Sequence, residues 1–480
     1  MYDATFSLPG HTMIEHSLSV PLDRFGALSR FAADEAAAIP EKIELFAREY
    51  VRHGNEKLPR LVYFQGGPGF GGPRMAPIGS WLDTALNHYR VVLLDERGTG
   101  RSHPIEAQAV SAVGPTPVQA AFISCFRQDS IAADAEDLRL AFGGDPWSVL
   151  GQSFGGFVVT ACLSQAPQGL SEAFITAGLP SVDGRADDVY RLTYAQTDVR
   201  NRVFFDRYPG DEPVAWSVAK HLADVEERLP TGERLTPGRF RQIGICLGRS
   251  YGLEQLHFLL EDPFWTVRGA RRLRPQFLDR IGAQVSLAPA PLYGVMHEAI
   301  YAQASTGATA WSADRVRGEF PQFRLPDVAA GAAAESELEA EGRGFRFTGE
   351  HMYPWQMRED PALAPIADAA DALAADPSLR RLYDAEALAA NGAAAERGVR
   401  AGRGGSAAHE APVGHHAAAV RRVPAAAWVY KQDMFVPYSI SMETARLAGF
   451  RTLVSDTLHH DGLHSGGPQM ILKLIEAVRG

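Results

Sequence analysis

Gly151-Gln152-Ser153-Phe154-Gly155-Gly156 places a serine among glycines in the pattern G-x-S-x-G. The apolar run Trp147 to Leu150 precedes it, and a helical pattern opens at Phe157 with Val158, Val159, Ala161 and Leu163. A serine on a sharp strand-to-helix turn presents its hydroxyl clear of the sheet, where it can attack a carbonyl carbon. The glycines let neighbouring backbone pass close without a Cβ clash. The helix N-terminus then lends partial positive charge to a developing oxyanion. G-x-S-x-G alone is a common pattern; strand before and helix after make it an expectation of acyl transfer.

Such a serine needs oxyanion donors, a base and an acid that orients the base. The run Gln65-Gly66-Gly67-Pro68-Gly69-Phe70-Gly71-Gly72 directly follows the apolar segment ending at Phe64. A backbone amide there can approach substrate closely, so the expected donors are the amides of Gly67 and Phe154. A phosphate loop is excluded, because no G-K-[ST] ends the run. The acid should lie at the end of a later strand, and Asp433 follows the apolar run Ala427 to Tyr430. The base should lie in the loop after the next strand, Thr452 to Val454, where His459, His460 and His464 all occur. His460 stands on the loop itself, before Asp461-Gly462-Leu463, whereas His464 is near the start of the final helix. The charged, glycine-rich segment Leu94 to Ser102 (LDERGTGRS) reads as an ion-paired loop that braces the site.

These residues need a sheet to carry them. Met13 to Val20 and Ile43 to Val51 read as early strands, and Leu61 to Phe64 and Val91 to Leu94 as short strands buried on both faces. A helical stripe over Asp129 to Phe142 stops at Gly143-Gly144, and Ala173 to Ala177 is the next strand. The alternation predicts an α/β fold with a mostly parallel sheet and helices on both faces. After about Pro180 the pattern turns helical and rich in Arg, Glu, Leu and Ala, and strands resume only near Ala427. The expected organisation is a core in two pieces, 1–182 and 424–480, around an inserted helical cap, 183–390. Between cap and second piece, 391–423 is Ala/Gly-rich with few large apolar residues, and reads as a mobile surface insert.

Composition narrows the function class. The chain has 480 residues, 47 Lys+Arg against 57 Asp+Glu, and a formal net charge of -10. At about 150 residues per domain the length prior is three domains. The acidic balance argues against duplex nucleic acid or an anionic membrane as partner. No apolar run of 18 residues is present, which argues against a membrane-spanning helix. The segment MYDATFSLPGHTMIEHS has no basic stretch followed by an apolar one, so a cytoplasmic location is expected. Cys125, Cys162 and Cys246 are widely spaced and read as buried thiols. His409, His415 and His416 fall in the Ala/Gly-rich stretch without a carboxylate or Cys at fixed spacing, so no metal site is expected.

The segments LVYFQGGPGFGGPR, VVLLDERGTGRS, WSVLGQSFGGF, PLYGVMHEAIY, FTGEHMYPW, VYKQDMFVP and HHDGL spread over almost the whole chain. Together they resemble the prolyl aminopeptidases (proline iminopeptidases), in the longer form of that α/β-hydrolase family. The resemblance implies a catalytic serine, aspartate and histidine at Ser153, Asp433 and His460, the histidine lying in an H-D/N-G-L segment. It also implies that cap acids, Glu298 in His297-Glu298-Ala299-Ile300-Tyr301 and Glu350 in Gly349-Glu350-His351, bind the substrate's N-terminal ammonium. A desolvated carboxylate pair can hold one ammonium and reject a blocked N-terminus. His297-Glu298 is not a zinc motif, since Tyr301 stands where the second His is required. Two features depart from the family pattern: the length of 391–423, and His464 where the family tends to have Arg.

The expected activity is therefore a serine aminopeptidase that releases N-terminal proline from peptides, without cofactor or metal. Other hydrolases of the same fold, such as an esterase or a broader aminopeptidase, are the nearest rivals. Epoxide hydrolases and dehalogenases place Asp where Ser153 stands. A silent binding protein on the same scaffold predicts a broken triad, whereas all three members are available.

Overall fold

The computed structural model describes residues 2–32, 34–36, 38–74, 79–326, 331–403 and 422–480. Its sheet strands are β1 (Tyr2–Leu8), β2 (His11–Pro21), β3 (Lys42–Arg52), β4 (Arg60–Phe64), β5 (Arg90–Asp95), β6 (Trp147–Gln152) and β7 (Leu170–Thr176). A small hairpin supplies β8 (Phe264–Val267) and β9 (Ala270–Leu273), and the sheet closes with β10 (Ala425–Tyr430) and β11 (Arg451–Ser455). The nine-stranded order is β1-β2-β3-β5-β4-β6-β7-β10-β11. The first three pairings are antiparallel and every pairing from β5 to β11 is parallel. This is the mostly parallel sheet the alternation predicts.

Strand periodicity explains why both faces are covered. In β4, Val62 and Phe64 join one core cluster while Leu61 and Tyr63 join the other. Likewise Val149 faces one side of β6 and Leu150 the other. Successive side chains point to opposite faces, so a continuous apolar run must find a helical layer on each side. Helices Gln128–Ala141, Phe154–Gln165 and Tyr438–Ala448 cover one face; Trp81–Ala85 and Gln469–Arg479 cover the other.

Between β7 and β10 the chain is chiefly helical, including Ala186–Arg207, Asp211–Asp224, Gly252–Leu260 and Pro275–Val285. The β8–β9 hairpin interrupts this pattern. Its two-residue turn, Arg268-Gly269, has φ of 51° and 81°, and Gly at the second position is what such a turn favours.

Of the stretch expected as a mobile insert, 391–423, residues 404–421 lie outside the described residues, and 391–403 differs from the expectation. Its first part continues the helix Ala385–Arg403. Poor burial argued for a loop, but a run of Ala has the highest helix propensity and needs little burial to remain helical. Asn391 is buried; its Nδ2 donates to the Ala448 carbonyl at 2.9 Å, and its Oδ1 accepts from the Val423 amide at 2.8 Å. One side chain thus ties the two ends of the stretch to the core. His409, His415 and His416, and the expectation attached to them, lie outside the described residues. Among the described residues no helix is long and apolar enough to cross a membrane.

Candidate active site

Ser153 is the turn between β6 and the helix Phe154–Gln165, with φ 56° and ψ -124°. This backbone conformation is strained for a residue with a Cβ, at about 1–3 kcal/mol, and persists only where its surroundings hold it. Glycines permit that close packing. A Cβ on Gly155 would lie 2.1 Å from the Phe64 carbonyl oxygen, and one on Gly151 would lie 2.1 Å from that of Gly155. Strand, turn and helix are thereby compressed into one unit, with Ser153 at its tip.

The structure brings Ser153, His460 and Asp433 into one hydrogen-bonded chain. His460 Nε2 lies 2.8 Å from Ser153 Oγ, and its Nδ1 lies 2.9 Å from Asp433 Oδ2. Each residue follows the carboxyl end of a different strand: β6, β11 and β10. Asp433 is preset by its own turn, where Oδ1 accepts the amides of Phe435 and Val436 at 2.9 and 3.0 Å. The His460 backbone is held on both sides, its amide donating to the Gly248 carbonyl and its carbonyl accepting from Gln152 Nε2 at 3.1 Å. Phe435 packs edge-on against the imidazole, with ring centres 4.7 Å apart. Burial alone would lower the His460 pKa, but the Asp433 charge and hydrogen bond outweigh it and hold the imidazole above its ordinary value.

The other two histidines differ. The His464 ring has no hydrogen-bond partner among the described residues and faces the same cavity. Burial lowers the pKa of His459, which meets no carboxylate in a hydrogen bond among the described residues.

That cavity has a volume of about 870 Å³. Ser153, His460, Gly67, Phe70, Tyr293 and Glu350 all line it. Gly66 passes so close that a Cβ there would sit 3.0 Å from Ser153 Cβ, and Gly67 follows it in the cavity lining. Phe154 is the first residue of its helix, where backbone N–H groups have no intrahelical acceptor. The far end of the glycine run is anchored by Asp95, which accepts the Gly72 and Arg101 amides at 2.9 and 2.8 Å and pairs with Arg74. Arg97, fully buried, is paired to Asp134 at 2.6 Å. The charged loop after β5 is thus an ion-paired brace.

The two cap acids part company. Glu350 lines the cavity and accepts a hydrogen bond from the Tyr293 hydroxyl at 2.5 Å. Glu298 does not line it. Its carboxylate accepts the amides of Ser312 and Ala313 at 2.9 and 2.8 Å, at the start of the helix Ser312–Arg317. Burial pushes its pKa up to about 7. Both acids were expected to bind the substrate's ammonium; here each Glu298 oxygen accepts an amide at a helix start, whereas Glu350 lines the cavity. Tyr293 and Gln152 are site residues that spacing did not single out. Tyr293 stands 57 positions from Glu350, so no local pattern links them, although it lies within a segment that carries the family resemblance.

A sheet covered on both faces, with serine, histidine and aspartate joined at its carboxyl edge, defines an α/β hydrolase; residues 59–238 match the alpha/beta hydrolase fold family. Proline iminopeptidase of Aeromonas sobria is 37% identical over 468 residues, covering 97% of this chain and 96% of that one. Proline iminopeptidase aneH of Aspergillus aculeatus is 30% identical over 442 residues, covering 89% and 88%. The chain belongs to the proline iminopeptidase family.

Proposed function

We propose that the protein is a serine aminopeptidase that releases N-terminal proline from peptides through an acyl-enzyme. The observation that carries the reading is the chain Ser153–His460–Asp433 opening into the cavity that Glu350 lines. Ser153 Oγ attacks the prolyl carbonyl as His460 Nε2 takes its proton; His460 then protonates the leaving amine. Asp433 fixes the tautomer and stabilises the imidazolium. The amides of Gly67 and Phe154 hold the tetrahedral oxyanion, and one such donor is worth roughly 3–4 kcal/mol. Water, activated by the same imidazole, releases proline. Phe70, Tyr293 and Phe435 enclose the pyrrolidine ring, while Glu350 receives its ammonium. The same reading puts the enzyme in the cytoplasm, where a reducing environment suits its three buried, free cysteines. Turnover of prolyl-anilide should exceed that of alanyl-anilide; equal rates would make it a broader aminopeptidase, and no prolyl turnover would end the reading.

The two cap acids should respond differently to the same change. Glu350→Gln should lower kcat/KM for free prolyl substrates about a hundredfold, because an ammonium loses its buried counter-charge. Discrimination against N-acetylprolyl substrates should shrink with it. Glu298→Gln should instead lower stability by about 1–3 kcal/mol, since an amide NH2 cannot accept from both backbone donors. Thermal melting separates the two. Because the Glu298 carboxyl titrates near 7 rather than 4.5, the folded protein binds an extra proton between those values. Its contribution to stability is lost as pH rises through that window, and Glu298→Gln should flatten that dependence.

The pH profile offers a separate check. His460 must be neutral to accept the Ser153 proton, and its pKa is raised. The acid limb of kcat/KM should therefore lie above the ordinary histidine value of about 6.5. Asp433→Asn should move that limb to lower pH and reduce kcat about 10⁴-fold.

A further inference from the structure

The cavity has a polarity that recognition of proline does not use. Glu350 marks one side of it, while Arg249 and Arg280 line it from exposed positions. Among the described residues neither arginine forms an ion pair or a side-chain hydrogen bond. Elsewhere in the molecule arginines meet carboxylates as a rule: Arg97 with Asp134, Arg241 with Glu335, Arg272 with Glu227. Two guanidinium groups in one cavity lining thus stand unpaired in a chain whose net charge is -10.

Both groups are also placed by structure that belongs to the site. Arg249 follows Gly248, whose carbonyl accepts the His460 amide at 3.2 Å. Its other neighbour, Ser250, donates from amide and hydroxyl to Asp461 Oδ1 at 2.9 and 2.6 Å. Asp461, an acid of the same lining, accepts from Ser250 and forms no ion pair with Arg249 among the described residues. Arg280 projects from the helix Pro275–Val285, where it shares a face with Ala283 and Gln284, one turn on, and all three line the cavity. The cavity lining therefore holds Glu350 together with two arginines that, among the described residues, no carboxylate pairs.

We propose that Arg249 and Arg280 form a carboxylate-binding subsite for the leaving portion of the peptide. Resting on the aminopeptidase reading, this makes the preferred substrates short prolyl peptides with a carboxylate one or two residues after proline. The carboxylate is either the C-terminus or an acidic side chain. A guanidinium presents donors in a planar fork that matches a carboxylate, and the exposure of both arginines makes the attraction sensitive to salt.

The test compares kcat/KM at low ionic strength for Pro-Gly-Gly against Pro-Gly-Gly-amide, and for Pro-Asp-amide against Pro-Asn-amide. At least one pair should favour the carboxylate about tenfold, the effect of one hydrogen-bonded charge. The preference should fall when the ionic strength is raised to about 1 M, where the Debye length is only about 3 Å. In the double variant Arg249→Gln/Arg280→Gln the same ratio should drop to about one. Because each readout is a ratio within one enzyme preparation, a lower amount of folded protein does not alter it. Equal rates within both pairs in the wild type, or a preference retained by the double variant, would overturn the subsite. Wild-type turnover of prolyl-anilide, which carries no carboxylate, is measured alongside; its absence would sink the aminopeptidase reading instead.

Discussion

Replacing Ser153 with alanine should reduce kcat for prolyl-anilide by about a million-fold, the scale seen when a serine nucleophile is removed from a complete triad. The size follows from what is lost. The Oγ that sits 2.8 Å from His460 Nε2 is the atom that would form the acyl-enzyme, and among the described residues no other hydroxyl bonds that nitrogen. Removing it leaves only binding and oxyanion stabilisation, which sustain a residual rate of about 10³–10⁴ over water. The fold should survive, because the turn is held by glycines whose packing does not involve the hydroxyl. Labelling by a serine-reactive phosphonate should disappear with activity. Persistent labelling in Ser153→Ala would assign the chemistry to another residue.

His460→Ala should lower kcat by about 10⁴ to 10⁶, while His464→Ala should change it by no more than a few-fold. Proximity does not separate these two histidines, since both line the cavity. Orientation does. His460 has Asp433 at 2.9 Å on one ring nitrogen and Ser153 on the other, and its backbone is pinned by Gly248 and Gln152. A base needs that second partner, because the carboxylate selects the tautomer and stabilises the imidazolium. The His464 ring lacks one among the described residues. Asp433 keeps the Phe435 and Val436 amides when the imidazole is removed, so the loss should appear in kcat rather than in melting temperature. Near-normal turnover by His460→Ala would overturn the assignment.

Much of this architecture could be read locally. β4, β5, β6 and β10 were expected as short apolar runs, and the structure starts or ends each within two residues of the run. Continuous burial on both faces leaves a signature in every residue of such a strand. The nucleophile turn was equally legible: a left-handed serine between packed strand and helix demands glycine at defined neighbours, and Gly151 and Gly155 supply it. The helix through 391–403 has little large apolar content to mark it, and only the propensity of its alanines favours it. The β8–β9 hairpin is hidden by its length: each strand has only four residues, and Phe264–Val267 alone is apolar.

What the sequence by itself determined was the short buried strands, the nucleophile turn and the motifs through which the chain resembles its family. These depend on neighbours a few residues apart. Tertiary structure decided which polar groups meet: Ser153 and His460 are 307 positions apart, and Tyr293 and Glu350 are 57 apart. It also separated two acids that look alike in sequence, giving Glu350 to the cavity and Glu298 to a helix start. The physical reason is that a buried carboxylate must satisfy its oxygens with whatever donors the fold brings near, and spacing along the chain does not encode those donors.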